Sequence, residues 1–197
     1  MLPALLFTGL PGAGKSTLAH ALSLALVERG LNNQVLDGDV LRAGPCADLG
    51  YSDADRLEQA RRAGAMAQQL RQDGILPLVA LIAPRAIHRS ALRAAVDGAL
   101  IEVWCSTPLA VCEARDPKGL YAAARAGTVK GLTGIDAPYE PPQAALALDT
   151  SVLDHASCVA RLLLLLAPYL SPASVSQPVP PGSDRPAWPG TAPHPRD

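Results

Sequence analysis

Residues 9–16, GLPGAGKS, fit the pattern GxxxxGK[ST], and they stand between an apolar run of strand length, 4–8, and a segment with helical spacing, 15–29. In that context the pattern carries a mechanism. Glycines let the backbone curl so that successive N–H groups point at phosphate oxygens, and the helix N-terminus adds its dipole. Lys15 then reaches the outer phosphates, and the Ser16 hydroxyl is placed to hold magnesium. Gly9, Leu10, Pro11, Gly12, Ala13, Gly14, Lys15, Ser16 and Thr17 are therefore the expected contacts of a nucleoside triphosphate.

The rest of the chain supplies a scaffold for such a loop. Further strand-length apolar runs lie at 34–36, 75–82, 100–105 and 145–148, and helical spacing recurs at 53–72, 87–97, 108–115 and about 152–170. Strands alternating with helices predict a three-layer α/β fold, a parallel sheet of about five strands with helices on both faces. Ligands of such sheets sit at the carboxyl ends of the strands. The 197 residues suit one domain, expected over 1–170, and the aliphatic character of its core follows from 49% hydrophobic against 4% aromatic residues. From Ser171 onward Pro, Ser and Gly dominate without periodic apolar positions, so 171–197 reads as a disordered tail.

Several function classes drop out on composition. A net charge of -1 gives no sign of a nucleic-acid surface, while a small anion can still be held by a local basic pocket. Membrane spanning needs about 20 apolar residues, and the leucine run 162–166 is followed by Ala-Pro, so it reads as a buried helix. The apolar start runs into the glycine turn rather than a cleavage site, which makes it a strand and not a signal peptide. Cys46, Cys105, Cys112 and Cys158 show neither CxxC pairing nor metal-ligand spacing and read as reduced core thiols of a cytoplasmic protein.

At the end of the second strand stands LDGDVLR, 36–42. Asp37 and Asp39 emerge there at the same sheet edge as the phosphate loop, with Gly38 tightening the turn. A carboxylate so placed orients or deprotonates an acceptor hydroxyl, or holds magnesium through water; Asp37 is the metal-linked choice alongside Ser16, although the two acids can titrate as a unit. The plainer alternative is a polar turn in which one of them caps a helix. A GTPase would need a strand closing on DxxG and an NKxD motif, and a motor-type ATPase an acid closing the long apolar strand, which here ends LIAP, 81–84. A small-molecule kinase fits better.

Beyond these local signals the chain resembles the adenylylsulfate kinases. The resemblance is carried in order by FTGLPGAGKSTLA, LDGDVLR, DLGYSDADRLEQARRAGAMAQQL, LVALIAP, IEVWCSTPLAVCEARDPKGLYAAARAG and VKGLTGIDAPYEPP, over about 6–150. It implies a phosphate-loop kinase fold, ATP as donor, magnesium, and transfer of the γ-phosphate to the 3′-hydroxyl of adenosine 5′-phosphosulfate, giving 3′-phosphoadenylylsulfate for sulfate assimilation. It also implies catalytic roles for Lys15, Asp37 and Asp39. Asp39, Arg42, Arg56 and Lys130 match positions facing the acceptor, Tyr51 an aromatic stacking on its adenine, Ile82 a position packing near the same base, and Arg115 a position near the adenine of ATP. Arginine suits a phosphosulfate because its planar donors pair with such oxygens. A homodimer is the assembly the family implies. The first strand begins so close to Met1 that the contacts a preceding segment adds in the family are expected to be missing.

Residues 116–142 read as a lid: glycine-rich and proline-containing, with Lys118, Arg125 and Lys130, and too long for an idle connection. Closing it would exclude water from the phosphates. His88, on an expected surface helix, reads as structural. The acceptor pocket departs from the family at four places. Leu132 stands for a phenylalanine clamping the adenine, Gln59 for an asparagine, Ala83 for the serine of ISP, and Val40 for the asparagine of DGDN. Base stacking on an aromatic ring contributes about 1–3 kcal/mol, so Leu132 weakens that clamp. These departures keep a second hypothesis open, a related kinase of another small nucleotide-linked anion. A third, a nucleotide-binding regulator without turnover, is disfavoured by the retention of Lys15, Ser16, Asp37 and Asp39.

Overall fold

The computed structural model describes residues 2–170, and the expected tail lies outside the described residues. Five parallel strands, β1 (Ala4–Gly9), β2 (Asn33–Asp37), β3 (Leu76–Ala80), β4 (Leu100–Cys105) and β5 (Leu146–Leu148), form one sheet in the order β2-β3-β1-β4-β5. Between and after them run α1 (Lys15–Val27), α2 (Gly38–Ala43), α3 (Asp53–Gln72), α4 (Ala86–Ala95), α5 (Leu109–Arg115), α6 (Leu120–Arg125) and α7 (His155–Leu166). The expected α/β architecture is the one observed.

Strand alternation sorts the core into two layers. Leu5 and Phe7 of β1, Leu78 of β3 and Val103 of β4 join Leu18, Leu22 and Leu26 of α1 and Leu162 of α7. On the other face Ala4, Leu6 and Val79 meet Ala60, Ala63 and Ala67 of α3 and Leu92 of α4. The alanine stripe lets α3 and α4 approach closely: a Cβ placed on Gly64 would lie 2.6 Å from the Cβ of Ala95. Central β1 is buried along its whole length, as a strand covered on both faces must be.

Four expectations need correction in detail. The long apolar run 75–82 leaves the ladder after Ala80, and Ala83 sits in the left-handed region, φ 40, as the chain turns toward α4. Residues 38–43 are the helix α2, whose N-terminus is capped by Asp37. The final helix is shorter than 152–170: Asp154 caps α7 by accepting Ser157 N–H, and a 3-10 turn carries the chain through Ala167–Tyr169. Its leucines form a one-sided face, with Leu162 and Leu166 buried and Leu164 75% exposed. Among the described residues no helix is long and apolar enough to cross a membrane, and all four cysteines are buried and unbridged.

The lid stretch is more ordered than its composition suggests. Helix α6 occupies its first part, and Tyr121, 1% exposed, donates its hydroxyl to Pro11 O. At the far end Tyr139 and Thr8 share a hydroxyl hydrogen bond, while Glu140 N–H donates to Pro84 O and its carboxylate accepts Ala86 N–H. The middle turns through Gly127 and Gly131 at positive φ and is held by Arg56, which donates to Gly131 O, and by the buried Leu132 and Thr133.

Candidate active site

The cleft is built where the sequence predicts, at the carboxyl ends of β1, β2 and β3, and encloses about 690 Å³. Its floor is the phosphate loop. Gly14 takes φ 94, a conformation L side chains rarely adopt, and starts α1 without any side-chain cap, so the first amides of that helix stay open to an anion. Ala13 O accepts the hydroxyls of Thr107 and Thr150, at 3.3 Å each, which pins the loop from behind. Lys15 folds back so that Nζ donates to Leu10 O at 2.7 Å. Burial pulls its pKa below the ordinary lysine value against the opposing pull of Cys105, Cys112, Asp37 and Asp39, and arriving phosphates would add to that opposing pull.

Asp37 and Asp39 face the loop from β2 and α2, and both line the cleft. Their environments differ. Asp37 is 9% exposed and spends Oδ1 on Asp39 N–H at 2.9 Å, so the capping role and a role in the cleft coexist in one side chain. Asp39 points outward and ion-pairs with Lys118.

The far wall belongs to α2, α3 and the 82–84 segment. Arg42 donates to Leu49 O, Gly50 O and Gln59 Oε1, and its guanidinium lies 4.4 Å from the centre of the Tyr51 ring. Gln59, buried, returns its amide to Gly38 O at 3.2 Å and so joins α3 to the turn between the two aspartates. Arg56 donates to Tyr51 O and Gly131 O, and burial lowers its pKa, with Arg42 adding to the effect. Ile82 and Ala83 complete this wall, and Ala83 O accepts from the buried Arg89 at 3.0 Å. At the donor end Arg115 donates to Gly12 O, Thr150 Oγ1 and Thr150 O, beside His155.

Most of the expected residues thus meet in one cleft: Pro11, Gly12, Gly14, Lys15, Ser16, Thr17, Asp37, Asp39, Arg42, Tyr51, Arg56, Gln59, Ile82, Ala83 and Arg115. Others do not line it. Gly9, Leu10 and Ala13 support the loop from behind, and exposed Lys130 stands outside. Leu132 is 7% exposed within the apolar core around β1, so the clamp position of the resemblance is filled here by a packed core residue; the contact from this stretch to the far wall is the Gly131 carbonyl on Arg56. Val40 is 47% exposed on α2. His88 is fully buried rather than on a surface, its Nδ1 accepting Arg85 N–H, and burial lowers its pKa.

Sequence reasoning placed Lys118 in the lid but missed Tyr121, Thr150 and His155 as cleft residues. The available signal was the pattern DPKG, 116–119: an Asp whose carboxylate caps the next turn and a Gly at positive φ. Among the described residues no group of three or more His, Cys, Asp or Glu side chains is arranged around a metal. Magnesium is typically held by one or two carboxylates together with substrate phosphates and water; Ser16 and Asp37, which both line the cleft, are the residues that would hold it.

Comparison with known proteins agrees with this construction. Residues 3–149 match the family described as Adenylylsulphate kinase. The adenylyl-sulfate kinases of Shewanella amazonensis and Shewanella pealeana are 53% and 54% identical to the chain, over 80% and 82% of it and 80% of each relative. Among solved structures, the Mycobacterium tuberculosis APS kinase CysC in complex with AMPPNP and APS superimposes with a TM-score of 0.82 at 44% identity, covering 84% of this chain and 98% of that one. A hexameric APS kinase from Thiobacillus denitrificans gives 0.63 at 30% identity, covering 84% of this chain and 29% of that one.

Proposed function

The chain belongs to the adenylylsulfate kinase family, and from that premise we propose that it transfers the γ-phosphate of ATP to the 3′-hydroxyl of adenosine 5′-phosphosulfate, yielding 3′-phosphoadenylylsulfate and ADP. The observation that carries the reading is the single cleft in which the open N-terminus of α1 faces the Arg42, Tyr51 and Arg56 wall, with Asp37 and Asp39 between them.

In this reading the backbone amides 12–16 and Lys15 cradle the donor phosphates, and Arg115 lies along the donor adenine. Arg42 and Arg56 hold the phosphosulfate, and Tyr51, 67% exposed, offers its ring to the acceptor base. Asp39, the more open acid, receives the hydroxyl proton as the acceptor oxygen bonds to phosphorus. Asp37 and Ser16 would hold magnesium, and the ion would supply positive charge to offset that of the phosphates. Residues 116–125 are a wall tied to the phosphate loop through Tyr121, and the stretch that follows is held at Gly131 O by Arg56 and by the buried Leu132. Use of ATP, with four unbridged thiols, supports a cytoplasmic location and a place in sulfate assimilation. A homodimer is the assembly proposed for the chain.

Leu132 in the core leaves Tyr51 without an aromatic partner from that position and keeps the alternative acceptor, another nucleotide-linked anion, worth testing. The test is ADP release with Mg-ATP and adenosine 5′-phosphosulfate, AMP, other nucleotide-linked anions or no acceptor, with products identified by mass. Stimulation by adenosine 5′-phosphosulfate with a 3′-phosphorylated product is expected. Turnover with another acceptor alone would overturn the substrate assignment while retaining the kinase.

A further inference from the structure

We infer that Tyr139 is a positioning residue for the acceptor: through the Thr8 hydroxyl it fixes the Ile82 carbonyl, and with it the cleft wall that meets the acceptor base. The inference deepens the kinase reading above and rests on it.

The wall at 82–84 needs holding. Leu81 N–H still reaches Phe7 O at 3.1 Å, but the chain has left the ladder after Ala80, and Ala83 takes φ 40. A left-handed residue that carries a side chain persists only where its surroundings fix it. Here three successive carbonyls are each taken by a different part of the chain. Ile82 O accepts the Thr8 hydroxyl at 2.6 Å, Ala83 O accepts Arg89 at 3.0 Å, and Pro84 O accepts Glu140 N–H at 2.7 Å. Ile82, Ala83 and Pro84 all line the cleft, so these bonds set the shape of its surface.

The direction of the hydrogen bonds makes Tyr139 the origin of the first. Thr8 is fully buried, and its one hydroxyl proton is committed to Ile82 O. The Tyr139 hydroxyl, 3.0 Å from Thr8 Oγ1, is therefore the donor of that pair. Burial pushes the Tyr139 phenol up to about 12, so the proton it donates is in place at every pH near neutrality. A hydroxyl that accepts one hydrogen bond is polarised and donates a stronger one. The relay thus runs from Tyr139 through Thr8 to Ile82 and ends on the wall.

The neighbour of Tyr139 serves the same wall. Glu140 holds Pro84 O through its amide, and its carboxylate accepts Ala86 N–H at 2.7 Å at the start of α4. Two adjacent residues, remote in sequence from β1 and β3, therefore brace both sides of left-handed Ala83. Tyr139 itself does not line the cleft, so its effect on the reaction passes through the wall.

The test uses the full chain in the ADP-release assay, with Thr8→Val, Thr8→Ser and Tyr139→Phe. Thr8→Val leaves Ile82 O and the Tyr139 hydroxyl without partners and should raise the acceptor KM about tenfold. Tyr139→Phe removes only the outer donor and should raise it about threefold. Because Thr8 stands just before the phosphate loop, the KM for ATP is the control, and it should stay within about twofold in both. Thr8→Ser keeps the hydroxyl and should restore the acceptor KM. The double variant should be no worse than Thr8→Val, because both changes act on one chain of bonds. Hydrogen exchange needs no substrate: amides of 81–86 should exchange faster in Tyr139→Phe while those of α1 keep their wild-type rates. An unchanged acceptor KM, equal rises in both constants, or unchanged exchange at 81–86 would overturn the proposal and leave Tyr139 a packing residue. Wild-type protein stimulated only by another acceptor would instead overturn the substrate reading, and the same comparison run with that acceptor would still decide on Tyr139.

Discussion

The donor end and the acceptor end of the cleft are made of different materials. At the donor end the contacts are main-chain groups: amides of the phosphate loop, the uncapped start of α1, and carbonyls that hold Lys15 and Arg115. At the acceptor end side chains hold one another, with Arg42 on Gln59 and over Tyr51, and with the wall turning through Ala83 at φ 40. A backbone site is specified by where glycine stands and tolerates change around it. A side-chain site is specified by every member, so its chemistry drifts when any member changes.

The largest effect expected from that contrast lies at the donor end. Lys15→Ala removes the cation that reaches the outer phosphates, and kcat should fall on the order of 1000-fold, with the acceptor KM little altered and the Tm preserved. A normal rate in the steady-state assay would break the donor assignment outright.

How far each end was legible in the sequence follows the same division. GLPGAGKS names its own geometry, since a turn made by glycine between a strand and a helix has few realisations, and Lys15, Ser16 and the loop amides fell where expected. The strands were legible because burial on both faces leaves continuous apolar runs. Helices α2 and α6 were not, because six residues span less than two turns and show no periodicity. Leu132 was misplaced for a related reason. Its motif position says what stands there in a family, while its direction is decided by packing against residues distant in the chain, here the core around β1. Lys118 was legible as a cation of the lid, but its pairing with Asp39 was not, because the two lie 79 positions apart.

Arg42→Ala sharpens the comparison from the acceptor side. It deletes a guanidinium expected on the phosphosulfate and leaves Gln59 Oε1 without its donor. The acceptor KM should rise about 10- to 100-fold, in line with the loss of a charge-assisted hydrogen bond, while the KM for ATP stays within about twofold. Equal rises in both constants, measured by varying each substrate at saturating levels of the other, would show that the two ends are not separable.

Leu132→Phe distinguishes a core position from a pocket position. With Leu132 packed in the main core, the larger ring should overpack it, costing about 1–3 kcal/mol, or about 2–4 °C of Tm for each kcal/mol in a chain of this size, with no gain in acceptor affinity. A tighter acceptor KM at unchanged Tm, from thermal unfolding alongside the assay, would put the side chain over the acceptor base after all.

The smallest effect concerns how α3, which carries Arg56 and Gln59, is tied to the loop before it. Glu58 pairs with Arg61 and Arg62, and Arg62 also reaches Asp48 and Pro45 O, so one carboxylate anchors the junction. Hydrogen bonds from Arg61 and then Arg62 hold the Glu58 carboxyl down to about 2, below its ordinary value of 4.5. A carboxyl depressed on folding adds stability that is fully present above its unfolded pKa and is lost as pH falls through the folded one. The pair is exposed and screened by water and salt, so the gain is small. Glu58→Gln should lower Tm by no more than about 2 °C near neutral pH, and the gap from wild type should narrow from pH 4.5 downward and close near pH 2. A gap that stays constant between pH 7 and pH 3, followed by thermal unfolding in matched low-salt buffers, would mean that Glu58 acts through packing on α3 and not through its charge.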